Sequence, residues 1–438
     1  MSTIDLSRRK FLTRTRSGLT LFAASSFLPN LSLFARAADD VPTSGGMIDP
    51  TPGGPDHFFV CVEITGAADV TLGLDPWALP TGADANDMFL EYTPDKILQA
   101  GNLRFAPAAF ALAPYANDIA VINGISMRGD MIHESCRVYM NSGKSGNTAA
   151  SVAIELAATA GIGPCGVLFN DRPYLMVNGQ RSVTEGSTED LVNGITDNDF
   201  SQLPILPVSQ PDEDMTPLEQ ALFNVVSDKT IGAKLAPVLQ AMTTKYGPLQ
   251  PRHVMAAAFS CGASRQGRID TNTDLTVPTL DTHSNHEGNH LKLQAKVWGD
   301  VADMFKVFKE TPYKNGKLFD CTTFLIISEF SRTPQLVGTG KDHNPWTNSA
   351  VIAGKGVSGN KTVGGSRLFK RGEMPNNLPK HTALPFNFTE QAIATEANGA
   401  SFIFPENVIR TVEKIFGDPS GFSSVADSAN YLSSIVKV

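Results

Sequence analysis

The sequence predicts an α/β protein built on a mostly parallel, doubly wound sheet with helices on both faces. Short continuous apolar runs of strand length recur along the 438 residues, and stretches with helical periodicity alternate with them. Composition agrees: 42% hydrophobic against 18% charged residues describes a folded globular chain with ample material for a large core.

The first run, Phe58 to Ile64, is apolar on consecutive positions apart from Glu63 and gives way to the polar loop Thr65 to Asp69. Runs without alternation suit central parallel strands covered on both faces. Similar runs occupy Ile119 to Ile122, Tyr174 to Val177, Thr323 to Ile327 and Ala350 to Ala353. Between them, Ala149 to Ala160 is rich in alanine and strongly helix-forming, and Thr216-Pro217-Leu218-Glu219 is a capping box opening a helix through Val226. From Leu293, the residues Val297, Val301, Met304, Phe305 and Phe308 mark one helical face that stops near Thr311-Pro312. Glu406 to Phe416 repeats the scheme with Val408, Val412 and Ile415, and Gly417 stands at the C-terminal glycine position. These elements predict one domain over 57–438 with an inserted helical segment around 205–265.

The chain starts with a different kind of segment. Ser7-Arg8-Arg9-Lys10-Phe11-Leu12, a mildly apolar stretch from Gly18 to Phe34, and Ala35-Arg36-Ala37 look like a twin-arginine export signal over 1–37, cleaved after Ala37. The twin-arginine translocation machinery is then a partner, a flexible leader follows over 38–56, and the destination is the bacterial periplasm or exterior. No other stretch is long and apolar enough to span a bilayer, so no stable membrane span is expected after cleavage. Residues 1–37 carry six basic side chains and one acid, and the remainder carries 30 basic and 43 acidic ones, a net of −13. Such a body is unsuited to nucleic acid, which needs basic surface. The five cysteines are widely spaced with no Cys-x-x-Cys pair and read as buried small apolar side chains.

In a doubly wound sheet, ligands bind at the carboxyl ends of the strands. The polar residues following the apolar runs are therefore the candidates: Glu63 and Asp69, His133 to Arg137, Asp281 with His283, Glu329 to Arg332, and Asp342-His343. Carboxylates and imidazoles together suit a divalent ion, zinc, manganese, magnesium or calcium. Taken singly, each such residue could equally cap a helix or tie a loop. His286-Glu287-Gly288-Asn289-His290 matches the zinc-protease pattern His-Glu-x-x-His, but Gly288 and Asn289 form helix poorly and a polar loop precedes them, so a helix start is expected there. Trp346 is either a platform for a sugar or ester or a buried aromatic. His57, His253 and His381, without acidic partners at ligand spacing, read as structural or exposed.

The run Asp281-Thr282-His283-Ser284-Asn285, a helix, Thr323 to Pro334 with Ser328-Glu329-Phe330-Ser331-Arg332, and then Asp342-His343 resembles the twin-arginine-exported bacterial family called domain of unknown function 1501. The resemblance extends back to His133 through Gly143 and to Gly66 through Asp69. That family is grouped with the alkaline phosphatase and sulfatase superfamily, which implies a parallel-sheet core with metals at the strand ends. On this chain the first-strand metal ligand falls on Glu63 or Asp69. The sulfatase-like nucleophile segment falls on His133 to Arg137, placing His133 at the nucleophile and Arg137 at the arginine. The middle ligand pair resembles Asp281 with His283, although phosphatase spacing would reach Asn285. The later acid-histidine pair falls on Glu329 and Phe330, keeping the acid and losing the imidazole, and the last histidine falls on His343.

The resemblance thus implies a divalent metal held by Glu63 or Asp69, Asp281, His283, Glu329 and His343. His133 would act as nucleophile or base and Arg137 would stabilise the oxyanion in hydrolysis of a phosphate or sulfate ester, from a small molecule or a glycan. The missing Ser, Thr or Cys nucleophile supports a competing expectation: a non-catalytic binding or assembly protein that keeps the metal for stability.

Overall fold

The computed structural model describes residues 46–79, 87–145, 152, 237–261, 265–272, 275, 277–373, 375–376, 378–395, 400–418 and 429–437, and the backbone of 176–177, 180–181 and 229–236. The export segment 1–37, the start of the leader, the helix expected at Ala149 to Ala160 apart from Val152, and the capping box with its helix to Val226 lie outside the described residues. Of the insertion expected around 205–265, residues 205–228 and 262–264 also lie outside them.

Six strands form the central sheet: β1 (Phe58–Ile64), β2 (Ile119–Asn123), β3 (Gln266–Asp270), β4 (Thr322–Ser328), β5 (Ser349–Gly354) and β6 (Lys361–Gly364), in the order β6-β2-β5-β4-β1-β3. β1 pairs in parallel with β4 and with β3, and β6 pairs in parallel with β2. The mixed α/β architecture with a mostly parallel sheet is therefore as the sequence predicts.

Two strands differ from expectation. The run at Ala350 to Ala353 is central and buried, but β5 runs antiparallel to both β4 and β2. The connection from β4 has no crossover helix to carry the chain back in parallel. Instead a short ladder of Ser331–Arg332 with His343–Asn344 folds the connection on itself and leaves His343 beside the end of β4. Of the run expected at Tyr174 to Val177, the described Met176–Val177 pairs with Gln180–Arg181 in a separate two-stranded ladder. β3, by contrast, has the polar sequence Gln266-Gly267-Arg268-Ile269-Asp270 and carried no apolar signal, because its buried face is filled by ion pairs.

The described helices are α1 (His133–Ser142), α2 (Lys229–Tyr246), α3 (Pro251–Ser260), α4 (His290–Glu310) and α5 (Pro405–Ile415). α4 buries the expected face, Val297, Val301, Met304, Phe305 and Phe308, and packs against the 3-10 segment Pro107–Asp118. It ends at Thr311, before Pro312, whose ring cannot continue the helix. α5 begins with Pro405 in its first turn and buries Val408, Val412 and Ile415, in contact with α1. Alternate residues of β1 part company: Phe58, Val60, Val62 and Ile64 join the α4 cluster, while Phe59 and Cys61 join that of α1 and α5. No described helix is long and apolar enough to cross a membrane.

Residues 46–56 of the expected leader are held to the body. Asp56 accepts from Tyr313 at 2.7 Å and pairs with Lys314 at 2.5 Å, and Lys355 donates to the Asp49 carbonyl at 3.1 Å.

Candidate metal centre

Three loops bring imidazoles to the carboxyl edge of β1 and β4. His133 is the first residue of α1, His343 lies on the short ladder after β4, and Asp281 with His283 lies on the loop between β3 and α4. The last two segments touch closely at Gly340, where a side-chain carbon would come within 2.1 Å of the His283 carbonyl. Only glycine permits that approach.

At this meeting point His133 Nε2 is 3.1 Å from His343 Nε2, which is 2.9 Å from His283 Nε2. Asp281 Oδ1 lies 3.6 Å from the Nε2 of His133, 3.2 Å from that of His283 and 3.6 Å from that of His343. Four donors ligating one ion at about 2.0–2.1 Å in a tetrahedron stand roughly 3.3 Å apart, which these separations bracket. His133, Asp281 and His343 form one potential ligand group, and His283, Asp342 and His343 another.

The opposite ring nitrogens explain the orientation. His133 Nδ1 is 2.8 Å from Glu329 Oε1, His343 Nδ1 is 2.9 Å from the Met131 carbonyl oxygen, and His283 Nδ1 faces Asp342 Oδ1 at 3.5 Å. An acceptor behind Nδ1 holds the proton there and leaves Nε2 as a lone pair. Neutral rings so oriented face each other through Nε2 lone pairs, which repel; a metal ion removes that repulsion, as does a proton on His133, whose pKa Glu329 raises.

Arg332 organises the acid. Its fully buried guanidinium donates to the carbonyls of Gly66, Leu280 and Lys341, and places Nη2 2.6 Å from Asp281 Oδ1. Burial alone would raise the Asp281 pKa, but Arg332 and the neighbouring imidazoles hold it below the usual value. Burial likewise disfavours a charged His133, yet the hydrogen bond and charge of Glu329, aided by Asp281, hold its pKa above normal. His343 is pushed the other way by burial, by Arg332 and by the other two imidazoles.

The remaining expected residues fall elsewhere. Glu329 was expected as a ligand; its side chain is buried behind His133 and accepts from Gly66 N at 2.8 Å, so it orients the imidazole. Glu63 is buried in a cluster with Arg137, Arg268 and Asn141, and Arg137 also pairs with Asp270 at 2.6 Å. Both residues are occupied in linking α1 to the sheet, and Arg137 offers no oxyanion site there. Asp69 is fully buried and bound to Lys341 Nζ at 2.6 Å, an ammonium standing where a metal was expected. Burial would raise the Asp69 pKa, but Lys341 with His286 and His290 holds it far below the carboxylate range. Phe330, in the place of a lost ligand, packs against His133 and His343 with ring centroids 4.8 and 4.5 Å away.

His286 and His290 do not form a protease site. The helix starts only at His290, Gly288 has a φ of +71°, and Glu287 is exposed. Both rings are buried on Thr282 Oγ1. His57, His253 and His381 are buried, each hydrogen-bonded by a backbone or hydroxyl group. Trp346 is part-exposed, with Lys380 Nζ over its ring at 3.7 Å. Among the described cysteines, Cys61, Cys136 and Cys321 are buried thiols and Cys261 is half-buried.

Sequence reasoning placed Arg332 among the candidates without its role, and missed the Met131 carbonyl and the role of Thr282. Arg332 was visible as the last residue of Ser328 to Arg332. A backbone carbonyl carries no residue-type signal at all.

The model of a family described as "Protein of unknown function (DUF1501)" matches residues 270–403, which include Asp281, His283, Glu329 and His343 but not His133. No curated protein matches the chain in sequence. Among solved structures it is similar to the phosphonate monoester hydrolase of Silicibacter pomeroyi, at 11% identity and a TM-score of 0.34, covering 83% of this chain and 73% of that one. It is also similar to the alkaline phosphatase of the Antarctic bacterium TAB5, at 12% identity and a TM-score of 0.31, covering 69% of this chain and 92% of that one.

Proposed function

We propose that this chain is an exported protein that binds one divalent metal through His133, His283, His343 and Asp281 and uses it to hydrolyse a phosphate or sulfate ester. The observation that carries the metal is that His133 and His283 both turn Nε2 to His343 Nε2 beside Asp281 Oδ1, with acceptors hydrogen-bonded to Nδ1 of His133 and His343 and Asp342 Oδ1 3.5 Å from that of His283. The charge agrees: Asp281, Asp342 and Glu329 lie beside the imidazoles, with the Arg332 guanidinium paired to Asp281. His and carboxylate donors suit zinc or manganese better than calcium, which prefers oxygen. The His283 side chain is 49% exposed and that of Asp281 34%, so a ligand can reach the centre from solvent. A divalent ion there would polarise the ester and lower the pKa of an attacking water. In this reading His133 is a ligand held by Glu329, and its nucleophile role is given up because both ring nitrogens are engaged.

One observation favours the rival, a non-catalytic binding or assembly protein. Among the described residues no hydroxyl or thiol hydrogen-bonds the converging Nε2 atoms: Ser135 Oγ donates to Asp130 and the Cys136 thiol is buried. Hydrolysis would therefore use water directly. Export is supported by Arg8-Arg9 and the apolar stretch after them.

The test compares purified wild type and His283→Ala on a panel of aryl phosphate and aryl sulfate esters, with and without chelator. Turnover by wild type that chelation and the substitution both abolish supports the enzyme. Metal bound without any turnover above the variant's supports the binding protein.

A further inference from the structure

Thr282 stands between Asp281 and His283, the two loop residues at the metal centre, but its hydroxyl turns into a separate buried cluster. Its Oγ1 is 2.8 Å from His286 Nδ1 and 2.7 Å from His290 Nδ1, and those rings stack with centroids 4.4 Å apart. Gln294 Nε2 donates to the Asp69 carbonyl at 2.9 Å, so Gln294 Oε1 is the acceptor, taking the Asp69 N–H at 2.9 Å and His290 Nε2–H at 2.9 Å. Burial pushes the His290 pKa down to about 3, and the neutral ring then offers a bare Nδ1. Thr282 accordingly donates to His290 and accepts from His286 Nδ1–H. His286 Nε2 lies 3.6 Å from Asp69 Oδ2 and has no hydrogen-bond partner among the described residues, so the network ends at that atom.

The same carboxylate reaches the other ligand-bearing segment. Asp69 Oδ2 binds Lys341 Nζ at 2.6 Å, and the Lys341 N–H donates to the Thr282 carbonyl at 3.2 Å. Lys341 lies directly before Asp342 and His343. Two loops that carry exposed ligands are thus tied from below to one buried, almost fully connected polar network. Such networks rigidify what they touch, whereas loop residues left to themselves are mobile and bind metal only after being ordered.

We propose that the hydrogen-bonded chain His286–Thr282–His290–Gln294–Asp69–Lys341 is the positioning element of the metal centre. It fixes the backbone between Asp281 and His283 and locks it to the His343 segment, so that the donors keep their spacing. The inference rests on the metal reading above.

The full mature chain is titrated with zinc and with manganese against a competing chelator, as wild type, Thr282→Val and Thr282→Ser. Valine keeps the shape and removes the hydroxyl, and serine restores it. The expected result is affinity weakened roughly 10- to 100-fold in Thr282→Val and returned close to wild type in Thr282→Ser. A purely structural threonine would lower the unfolding midpoint of the chelated protein while the folded Thr282→Val bound metal as tightly as wild type, and that result overturns the proposal. Thr282→Ala is read in the same way if the valine variant does not fold. Equal weakening in Thr282→Ser and Thr282→Val also contradicts it, since the hydroxyl would not be the cause. If wild type itself binds neither metal, the metal reading falls first and this inference with it; if wild type binds and Thr282→Val is unaltered, only this inference falls.

Discussion

His133 and His343 face each other through Nε2 atoms 3.1 Å apart while their Nδ1 atoms bind Glu329 and the Met131 carbonyl behind them. Two neutral imidazoles in that arrangement present lone pairs to each other. In the proposed function this relationship marks where a cation would sit and which residues would set its affinity.

Glu329 is the first of these. Glu329→Gln keeps an oxygen that can accept from His133 but removes the charge that raises the basicity of the ring. Metal affinity should fall roughly 10-fold or more with little change in fold. Equilibrium competition against a chromogenic chelator measures it, and an unchanged affinity would show that Glu329 has no hold on the centre.

The buried cluster of Glu63, Arg137, Arg268 and Asp270 is assigned to stability instead. Glu63→Ala leaves two buried guanidinium groups short of a carboxylate, a change that costs roughly 3–5 kcal/mol. Urea unfolding should show this loss, and the folded fraction should still take up metal as wild type does. If Glu63→Ala removed the metal from a folded protein, Glu63 would be a ligand after all.

Acid should destabilise the fold from near neutrality. Burial lowers the pKa of His57 to about 2, of His253 to about 4 and of His381 to about 3, so these rings stay neutral when folded. The unfolded chain takes up protons on them below about pH 6.5, the ordinary histidine value. Because their folded pKa values are depressed, stability is fully present above pH 6.5 and declines as pH falls toward 4, by up to about 1.4 kcal/mol per pH unit for each ring. Urea midpoints of chelated protein measured at pH 7, 6 and 5 test this. A flat profile over that range would mean that the three histidines are hydrated in the native state.

Much of this was legible in the sequence, for physical reasons that can be named. Apolar runs without alternation located β1, β2, β4 and β5, and the period of Val297 to Phe308 located α4, because burial dictates those patterns. Direction was not legible for β5, since a run of Ser-Ala-Val-Ile-Ala reads the same in either sense and only the returning ladder reverses it. β3 was hidden by its polar composition. At the strand ends, residue type marked Asp281, His283, His343 and His133, which the structure brings together. It did not distinguish them from Glu63, Asp69 and Glu329, because a carboxylate buried on other partners has the same letter in the sequence as one beside the converging imidazoles. The partner decides: Lys341 lies 272 residues from Asp69, and Arg268 lies 205 from Glu63.

The most direct test of the account is the metal content of folded wild type against His343→Ala, since His343 belongs to both ligand groups. Elemental analysis after gel filtration should find about one divalent ion per chain in wild type and almost none in the variant, with both proteins folded. Wild type without metal, or equal metal in the two proteins, would contradict the centre described here.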